Sequence, residues 1–185
     1  MRRKSKFVDY RRKREFKTDY GKRLRLLKGH RTRLVLRPFS RSIVGQLIVY
    51  KPKGDEVVAA VNSLEMKKLG WKYNCANMPA AYLAGLKLGK IGLGKGVKEA
   101  VLDLGFNKAA AGSKCFSFVK GVLDSGLEVP VAKEVLPSEA RIKGEHIASY
   151  VEKQPAGNQF SEYKKSGFAL KEDFEKLKEK ILKEK

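Results

Sequence analysis

Positive charge is concentrated at the N-terminal end of this chain, and this distribution limits which residues can build a folded core. Residues 1–37 contain 16 Lys or Arg and three acidic residues, a net charge of +13 out of +21 for the whole chain, so the remaining residues carry only +8. A segment of this kind has little apolar surface to bury and repels itself in isolation. The usual partner of such a segment is a polyanion, most often nucleic acid and less often an anionic membrane.

The rest of the chain is typical of a single domain with extensions. It has 185 residues, of which 42% are hydrophobic, enough for one buried core. We divide it into a basic arm (residues 1–30), a globular core (31–136) and a helical extension (137–185). No apolar run before Leu34 is long enough for a secretory signal, and no run approaches the roughly 20 residues of a membrane span. We therefore expect a cytosolic protein without a membrane partner.

Three strand-like segments open the core. The stretch Arg33–Arg37, "RLVLR", reads as a strand that ends at Pro38. Two β-branched runs follow within residues 43–62, and the Pro and Gly of Lys51–Asp55, "KPKGD", indicate a hairpin turn between them. The pattern predicts three consecutive antiparallel strands.

Helices and one further strand follow. Asn77 and Pro79 are helix-start signals ahead of Ala, Leu and Tyr at helical spacing. "EAVLDLGF" (residues 99–106) reads as a buried strand, and "SKCFSFVKGVLDSG" (residues 113–126) as a second amphipathic helix. The order β-β-β-α-β-α predicts an α+β fold: a mixed sheet with helices packed on it, a basic extended N-terminal arm and a helical C-terminal extension.

Two further segments at the C-terminal end have helical patterns. Residues 141–152, "RIKGEHIASYVE", read as a helix, and so do residues 170–185, where Leu170, Phe174, Leu177 and Ile181 form one apolar stripe. The alternating Lys and Glu of this last segment indicate a solvated face rather than a binding surface. In the arm, Leu24 and Leu27 are three residues apart and could seat a short helix on the core.

The segment "GKIGLGKG" (residues 89–96) is close to a nucleotide-binding P-loop, but Gly96 stands where the magnesium-binding Ser or Thr belongs. A P-loop also needs a strand before the glycines and a helix after them, and here a predicted helix comes first. We interpret the glycines as a helix C-terminus and turn that allow close approach. A smaller possibility is a loop that touches an RNA backbone through Lys90, Lys95 and Lys98.

Catalytic and metal-binding patterns are not evident. Cys75 and Cys115 lie 40 positions apart and His30 and His146 are equally isolated, so no zinc-ligand spacing occurs. We interpret both cysteines as reduced, buried small hydrophobes. The sequence predicts neither a cofactor, nor a metal, nor an enzymatic activity.

Four stretches resemble one known family: "TDYGKRLRLLK" (residues 18–28), "NMPAAYLAGL" (77–86), "KGVLDSGLEVP" (120–130) and "RIKGEHIA" (141–148). In order and spacing they are similar to the archaeal and eukaryal branch of the large-subunit ribosomal protein L-eighteen family, and most like its archaeal members. The loop after the first strand departs from the family's usual Ser-Asn-Lys-His, because here it reads Phe39-Ser40-Arg41-Ser42.

The resemblance implies a non-enzymatic ribosomal protein. Members bind 5S rRNA and attach it to the large subunit at the central protuberance, where they also touch the large-subunit rRNA and neighbouring ribosomal proteins. The resemblance also implies a mixed sheet with helices against it and a basic N-terminal arm. Two alternatives remain on the residues alone: a nonspecific basic RNA chaperone, and an NTP-dependent enzyme that uses the glycine segment.

The candidate RNA-binding residues form two groups. In the arm, cations that would neutralise phosphates are Arg2, Arg3, Lys4, Lys6, Arg11, Arg12, Lys13, Arg14 and Lys17. On the first strand and its approaches, residues that would read the shape of a folded RNA are Tyr20, Arg23, Arg25, Lys28, Arg31, Arg33, Arg37 and Arg41. We expect the arm to be disordered in the free protein.

Overall fold

A four-stranded mixed sheet forms the centre of the molecule. The computed structural model describes residues 7–153 and 169–183. The sheet has the order β3-β2-β1-β4, and its strands are β1 (Arg33–Pro38), β2 (Ile43–Val49), β3 (Glu56–Asn62) and β4 (Val101–Asp103). Strand β1 pairs antiparallel with β2 and parallel with β4, while β2 pairs antiparallel with β3. The α+β class, the three antiparallel strands and the turn at residues 51–55 are confirmed.

Eight α-helices accompany the sheet in the described residues. The N-terminal arm contains α1 (Arg11–Arg14) and α2 (Tyr20–Leu27). The core contains α3 (Glu65–Lys68), α4 (Met78–Gly94) and α5 (Lys114–Asp124), and the C-terminal part contains α6 (Glu139–Ile142), α7 (Glu145–Lys153) and α8 (Leu170–Lys183). A 3₁₀ turn lies at Lys133–Val135. No helix among residues 7–153 and 169–183 is both long and apolar enough to span a membrane.

Helix α4 is central to the packing because it is buried on two sides. Its start is fixed as predicted: the Asn77 Oδ1 atom accepts a hydrogen bond of 2.9 Å from the backbone N–H of Ala80. One side of α4, with α5, covers the sheet in a cluster that includes Leu34, Leu47 and Phe118. On the other side lies a second apolar cluster, to which Phe174 of α8 belongs.

Helices α4 and α5 pack very close together. A Cβ atom on Gly85 would lie 2.0 Å from the carbonyl oxygen of Phe118, and one on Gly121 would lie 2.1 Å from that of Tyr82. Real Cβ atoms do not approach backbone oxygens so closely, so each position requires glycine. These glycines let the backbones of the two helices touch directly.

Three predicted elements differ from the structure. Of the strand predicted over residues 99–106, only Val101–Asp103 pairs with the sheet. Glu99 forms an isolated bridge with Glu128, and the chain turns at Leu104–Asn107. The helix predicted over residues 141–152 is divided into α6 and α7 by Gly144, which has a φ of 77°. Helix α2 forms, but Leu24 is exposed and no residue of α2 is buried. Because Leu26 and Leu27 are only partly buried, polar contacts are needed beside them to hold this helix to the domain.

Candidate nucleic-acid interface

The face of the sheet opposite α4 and α5 carries a polar cavity. Side chains alternate along a strand, so Leu34 and Leu36 point into the core while Arg33, Val35 and Arg37 share the other face. The cavity on this face measures about 290 Å³, and its lining includes Lys22 and Arg23 of α2, Arg33 and Arg37 of β1, and the carboxylates Asp55 and Asp103.

Asp55 connects α2 to the sheet. Its carboxylate accepts two hydrogen bonds from the Arg23 guanidinium, at 2.6 and 2.8 Å, and a third from the Arg33 Nη2 atom at 2.7 Å. The hydrogen bonds from Arg23 are the main reason why the pKa of Asp55 lies below its ordinary value, and they outweigh partial burial, which acts in the opposite direction. A two-point guanidinium–carboxylate pair also fixes orientation, so α2 is held in one position over the sheet.

Asp103 holds the neighbouring cations of β1. Its Oδ2 atom accepts a hydrogen bond of 3.2 Å from Arg33 Nη1, and its backbone oxygen accepts one of 2.9 Å from Arg37 Nη1. From α2, Lys22 Nζ donates to the backbone oxygen of Gly105 at 3.0 Å. Two carboxylates thus organise three arginines, and the arm helix is attached to the sheet at a second point.

Replacing Asp55 by Asn should loosen α2 and destabilise the protein. Charged hydrogen bonds of this kind contribute about 1.5 to 3 kcal/mol, so we expect a loss of about 2 kcal/mol at pH 7 in urea unfolding, with faster hydrogen exchange in α2. Because the folded pKa of Asp55 is lowered, the stabilisation is complete above its unfolded pKa of about 3.9. It is lost as the pH falls through the folded value, so the difference between variant and wild type should shrink there.

The matched control for Asp55 is Glu99, whose carboxylate lies 3.6 Å from Arg31 Nε in an exposed ion pair. Exposed pairs contribute little, so Glu99→Gln should change the stability by less than about 0.5 kcal/mol. Equal effects of Asp55→Asn and Glu99→Gln at pH 7 would show that Asp55 does not anchor the arm helix.

The structure separates the candidate RNA-binding residues by exposure. Exposed residues, which a phosphate or base can reach, are Arg11, Arg12, Lys13, Arg14, Lys17, Tyr20, Arg25, Lys28, Arg31 and Arg41. Arg23 and Arg37 are half-buried, and Arg33 is only 3% exposed. Arg2, Arg3, Lys4 and Lys6 lie outside the described residues. Arg33 therefore acts within the protein in this arrangement, where it joins Asp55 to Asp103.

Sequence reasoning missed the two organising carboxylates. The sequence pattern predicts only a turn at Asp55 and only a buried strand at Asp103. A signal for Asp103 was present, because a carboxylate inside an apolar strand needs a cation to compensate its burial. For Asp55 the sequence gives no comparable signal, since aspartates are common in hairpin turns.

Within the arm, contacts between the described residues are mostly local. The Asp19 carboxylate caps α2 by accepting from the backbone N–H of Lys22 at 3.0 Å. The rings of Tyr10 and Tyr20 lie 5.4 Å apart, and Arg12 Nε donates to Thr18 Oγ1 at 2.9 Å. Helix α1 buries no side chain, so its cations are presented to solvent.

The glycine segment at residues 89–96 is not a nucleotide-binding loop. Gly89 and Gly92 lie inside α4, where added Cβ atoms would meet Ser125 Oγ at 1.9 Å and Leu47 Cδ1 at 2.4 Å. The helix ends at Gly94, and Gly96 has a φ of 82°. The interpretation as a helix end with close contacts is confirmed.

The lysines of this segment have internal partners. Lys90 Nζ donates to the last carbonyls of α8, those of Ile181 and Leu182, at 3.0 and 2.6 Å. Lys95 Nζ donates to the backbone oxygen of Val58 in strand β3 at 2.5 Å. These contacts stabilise the C-terminus of α8 and strand β3. Lys90 and Lys95 therefore have roles within the protein that do not require contact with an RNA backbone.

Completing the P-loop consensus by Gly96→Ser should not create nucleotide binding. We expect no heat of binding for ATP or GTP with magnesium in titration calorimetry. A serine at this φ should instead cost about 1 kcal/mol of stability. Measurable magnesium-dependent nucleotide binding by the variant would contradict this account of the segment.

No cluster of three or more potential metal ligands occurs among residues 7–153 and 169–183. Both cysteines are buried and free, and burial raises the pKa of each thiol. A raised pKa leaves the thiols protonated and poorly nucleophilic at neutral pH. The two cysteines thus behave as small apolar side chains in the two clusters around α4.

Comparison with known proteins identifies the family. Residues 4–98 match the model of the family described as "Ribosomal large subunit proteins 60S L5, and 50S L18". The chain is 46% identical over 181 residues to "Large ribosomal subunit protein uL18" of Korarchaeum cryptofilum, covering 94% of this chain and 93% of that protein. It is 43% identical over 183 residues to the protein of the same name from Methanococcus maripaludis, covering 95% of each. The chain therefore belongs to the family of large-subunit ribosomal proteins 60S L5 and 50S L18, and it is a structural component of the cytoplasmic ribosome rather than an enzyme.

Proposed function

We propose that this protein binds 5S rRNA and attaches it to the large subunit at the central protuberance, where it also contacts the large-subunit rRNA. The observation that carries the proposal is the geometry of α2. Arg23 and Lys22 attach this helix to the sheet, while Arg25 and Lys28 of the same segment remain exposed. A rigid, strongly basic surface next to a basic arm is suited to a folded RNA.

The arm supplies affinity in this mechanism. Its exposed cations, from Arg11 to Lys17, can approach phosphates without rearrangement of the core because α1 buries nothing. Each phosphate that is neutralised releases counterions, so binding weakens steeply as salt increases. The local ion pairs of the arm, such as Lys13 with Asp9 at 2.7 Å, are exposed. Little free energy is lost when the cation of such a pair leaves its carboxylate to contact a phosphate.

The domain supplies position. Tyr20, Arg25, Lys28, Arg31 and Arg41 are exposed on α2, on the approach to β1 and in the loop after it. Their spacing is set by the sheet and by the anchored helix, and RNA is recognised largely through such shape-dependent contacts. Arg23, Arg33 and Arg37 support these residues through Asp55 and Asp103 and make their contribution indirectly.

Recovery of RNA from extract tests the proposal. The full chain is immobilised and incubated with deproteinised RNA from a ribosome-containing extract at near-physiological salt. It should enrich 5S rRNA over tRNA, as measured by sequencing. A charge-matched basic protein from outside the ribosome is the control. Recovery of tRNA and 5S rRNA in the same ratio as in the starting RNA would contradict the proposal.

A further inference from the structure

Two phenylalanines are exposed at one edge of the sheet, and neither belongs to the arm or to α2. Phe39 follows β1 and Phe106 follows β4, and they are 55% and 53% exposed. Because β1 and β4 pair in parallel, with Val35 opposite Asp103, both strands end at the same edge. Two large apolar side chains in solvent at one place are a feature of interaction sites.

The backbone beneath both rings is ordered by hydrogen bonds. The Phe39 N–H donates to Ser42 O at 2.8 Å, and the Asn107 N–H donates to Leu104 O at 3.1 Å. Lys114 Nζ, from the start of α5, donates to the backbone oxygen of Phe39 at 2.7 Å. Each ring is thus presented on a fixed turn, which lowers the entropy lost when a partner binds.

Arg37 connects the two turns. Its guanidinium donates to the backbone oxygen of Asp103, just before the second turn, at 2.9 Å. A Cβ atom on Gly105 would lie 3.0 Å from the carbon of that guanidinium, and Gly105 has a φ of 58°. The turns that carry Phe39 and Phe106 therefore belong to one rigid edge.

The exposed charges in the two loops that carry the rings are positive, because the nearby Asp103 is buried and paired with Arg33 and Arg37. Residues 38–42 and 104–114 contain no acidic residue, and they contain Arg41, Lys108 and Lys114. Arg41 and Lys108 are exposed, and neither forms a salt bridge in the part of the chain that the structure describes. The connection between β4 and α5 is ten residues long, more than the two to six usual for such loops.

We propose that Phe39 and Phe106 stack on unpaired bases of the bound RNA while Arg41 and Lys108 contact the flanking phosphates. We name this set of four residues the aromatic edge. The inference rests on the proposed function and extends it, because it assigns recognition of single-stranded nucleotides to a surface separate from the arm. An unpaired base exposes its aromatic face, on which a phenylalanine ring can stack, and its flanking phosphates lie within reach of the two cations. Paired bases keep their faces inside the duplex.

Affinity measurements on full-length variants separate stacking from charge. Replacing either phenylalanine by alanine should weaken 5S rRNA binding by roughly 5- to 100-fold. The dependence on salt should not change, because no charge is removed. Lys108→Gln should instead reduce the slope of log affinity against log salt by about one unit. Phe106→Tyr keeps the ring and should bind like the wild type.

Tyr50 provides the matched control. It is 50% exposed, but it follows β2 at the opposite end of the sheet, beside the hairpin that carries Asp55 and Glu56. Tyr50→Ala should leave the affinity for 5S rRNA unchanged. Wild-type affinity of the Phe39→Ala, Phe106→Ala double variant would overturn the inference.

Tryptophan fluorescence gives a direct reading of stacking. The chain has a single tryptophan, Trp71, which is 2% exposed and provides a constant background. In a Phe106→Trp variant, saturating 5S rRNA should quench the emission of the new residue, and a fully paired RNA duplex should quench it much less. A Tyr50→Trp variant should show no quenching by either RNA.

The outcomes distinguish this inference from the function on which it rests. Failure of the wild-type protein to bind 5S rRNA would overturn both. Normal 5S rRNA binding without quenching at Phe106→Trp would overturn only the assignment of the aromatic edge, and it would leave a protein partner as the occupant to seek at that surface.

Discussion

Gly121→Ala should unfold or severely destabilise the protein. The new methyl group would lie 2.1 Å from the carbonyl oxygen of Tyr82 and 2.8 Å from the backbone nitrogen of Leu86. Both atoms belong to the backbone of α4, so no side-chain rotation relieves the contact and the two helices have to separate. Overpacking on this scale costs about 3 kcal/mol or more, which urea unfolding or thermal denaturation followed by circular dichroism should report.

Substitutions at Gly85 and Gly94 test whether the backbones of α4 and α5 are in direct contact. Gly85→Ala faces the Phe118 carbonyl oxygen at 2.0 Å and should be as damaging as Gly121→Ala. Gly94 lies near the end of the same helix with nothing within 4 Å of an added Cβ. Gly94→Ala should therefore be neutral or stabilise by up to about 1 kcal/mol. Near wild-type stability of both the Gly85→Ala and the Gly121→Ala variants would contradict direct backbone packing of α4 on α5.

Deletion of residues 1–17 should leave a folded domain that binds 5S rRNA far more weakly. The segment contains nine Lys or Arg, and α1 buries no side chain, so its loss removes phosphate contacts without opening the core. At near-physiological salt we expect an affinity loss of roughly 100-fold or more. The slope of log affinity against log salt should fall by several units. Filter binding across a salt series measures both quantities.

The control for this deletion removes charge from a different surface. Lys176, Lys180 and Lys183 are exposed on α8 and lie among acidic residues, so their joint replacement by Gln should change neither affinity nor slope appreciably. Unchanged 5S rRNA binding after deletion of residues 1–17, or an equal loss in the α8 variant, would contradict the role of the arm.

The elements that could be predicted are those encoded locally. Asn77 and Pro79 mark the start of α4, and "KPKGD" marks the hairpin, because capping and turn formation depend on a few adjacent residues. The stripe of Leu170, Phe174, Leu177 and Ile181 is buried as its spacing predicted. The helical period alone identifies such a face.

The elements that were wrong or missed depend on contacts between distant parts of the chain. Alternation in "RLVLR" shows that Arg33 and Arg37 share a face. It does not show that Asp55 and Asp103, 22 and 70 positions from Arg33, meet them there. At Gly144, which divides α6 from α7 with a φ of 77°, an added Cβ atom would lie 2.4 Å from Leu170 Cδ2 and 3.1 Å from Pro79 Cγ. The glycine is a local signal for a break, but these two contacts are not visible in the sequence.

Residue type alone makes every basic side chain a candidate for RNA binding, whereas exposure distinguishes among them. A basic residue in sequence is a candidate for any phosphate, but Arg33 is enclosed by two carboxylates while Arg25, Arg31 and Arg41 remain exposed. Conversely, Phe39 and Phe106 carry no charge and become candidates only when the parallel pairing of β1 with β4 brings their turns to one edge.

The most direct test of the central claim compares two RNAs under one condition. The affinity of the full chain for 5S rRNA is measured at about 150 mM monovalent salt beside its affinity for an unrelated structured RNA of the same length. If the arm supplies affinity and the domain supplies position, the protein should bind 5S rRNA at least 100-fold more tightly than the unrelated RNA. Equal affinity for the two RNAs would contradict the account and would indicate nonspecific, charge-driven RNA binding.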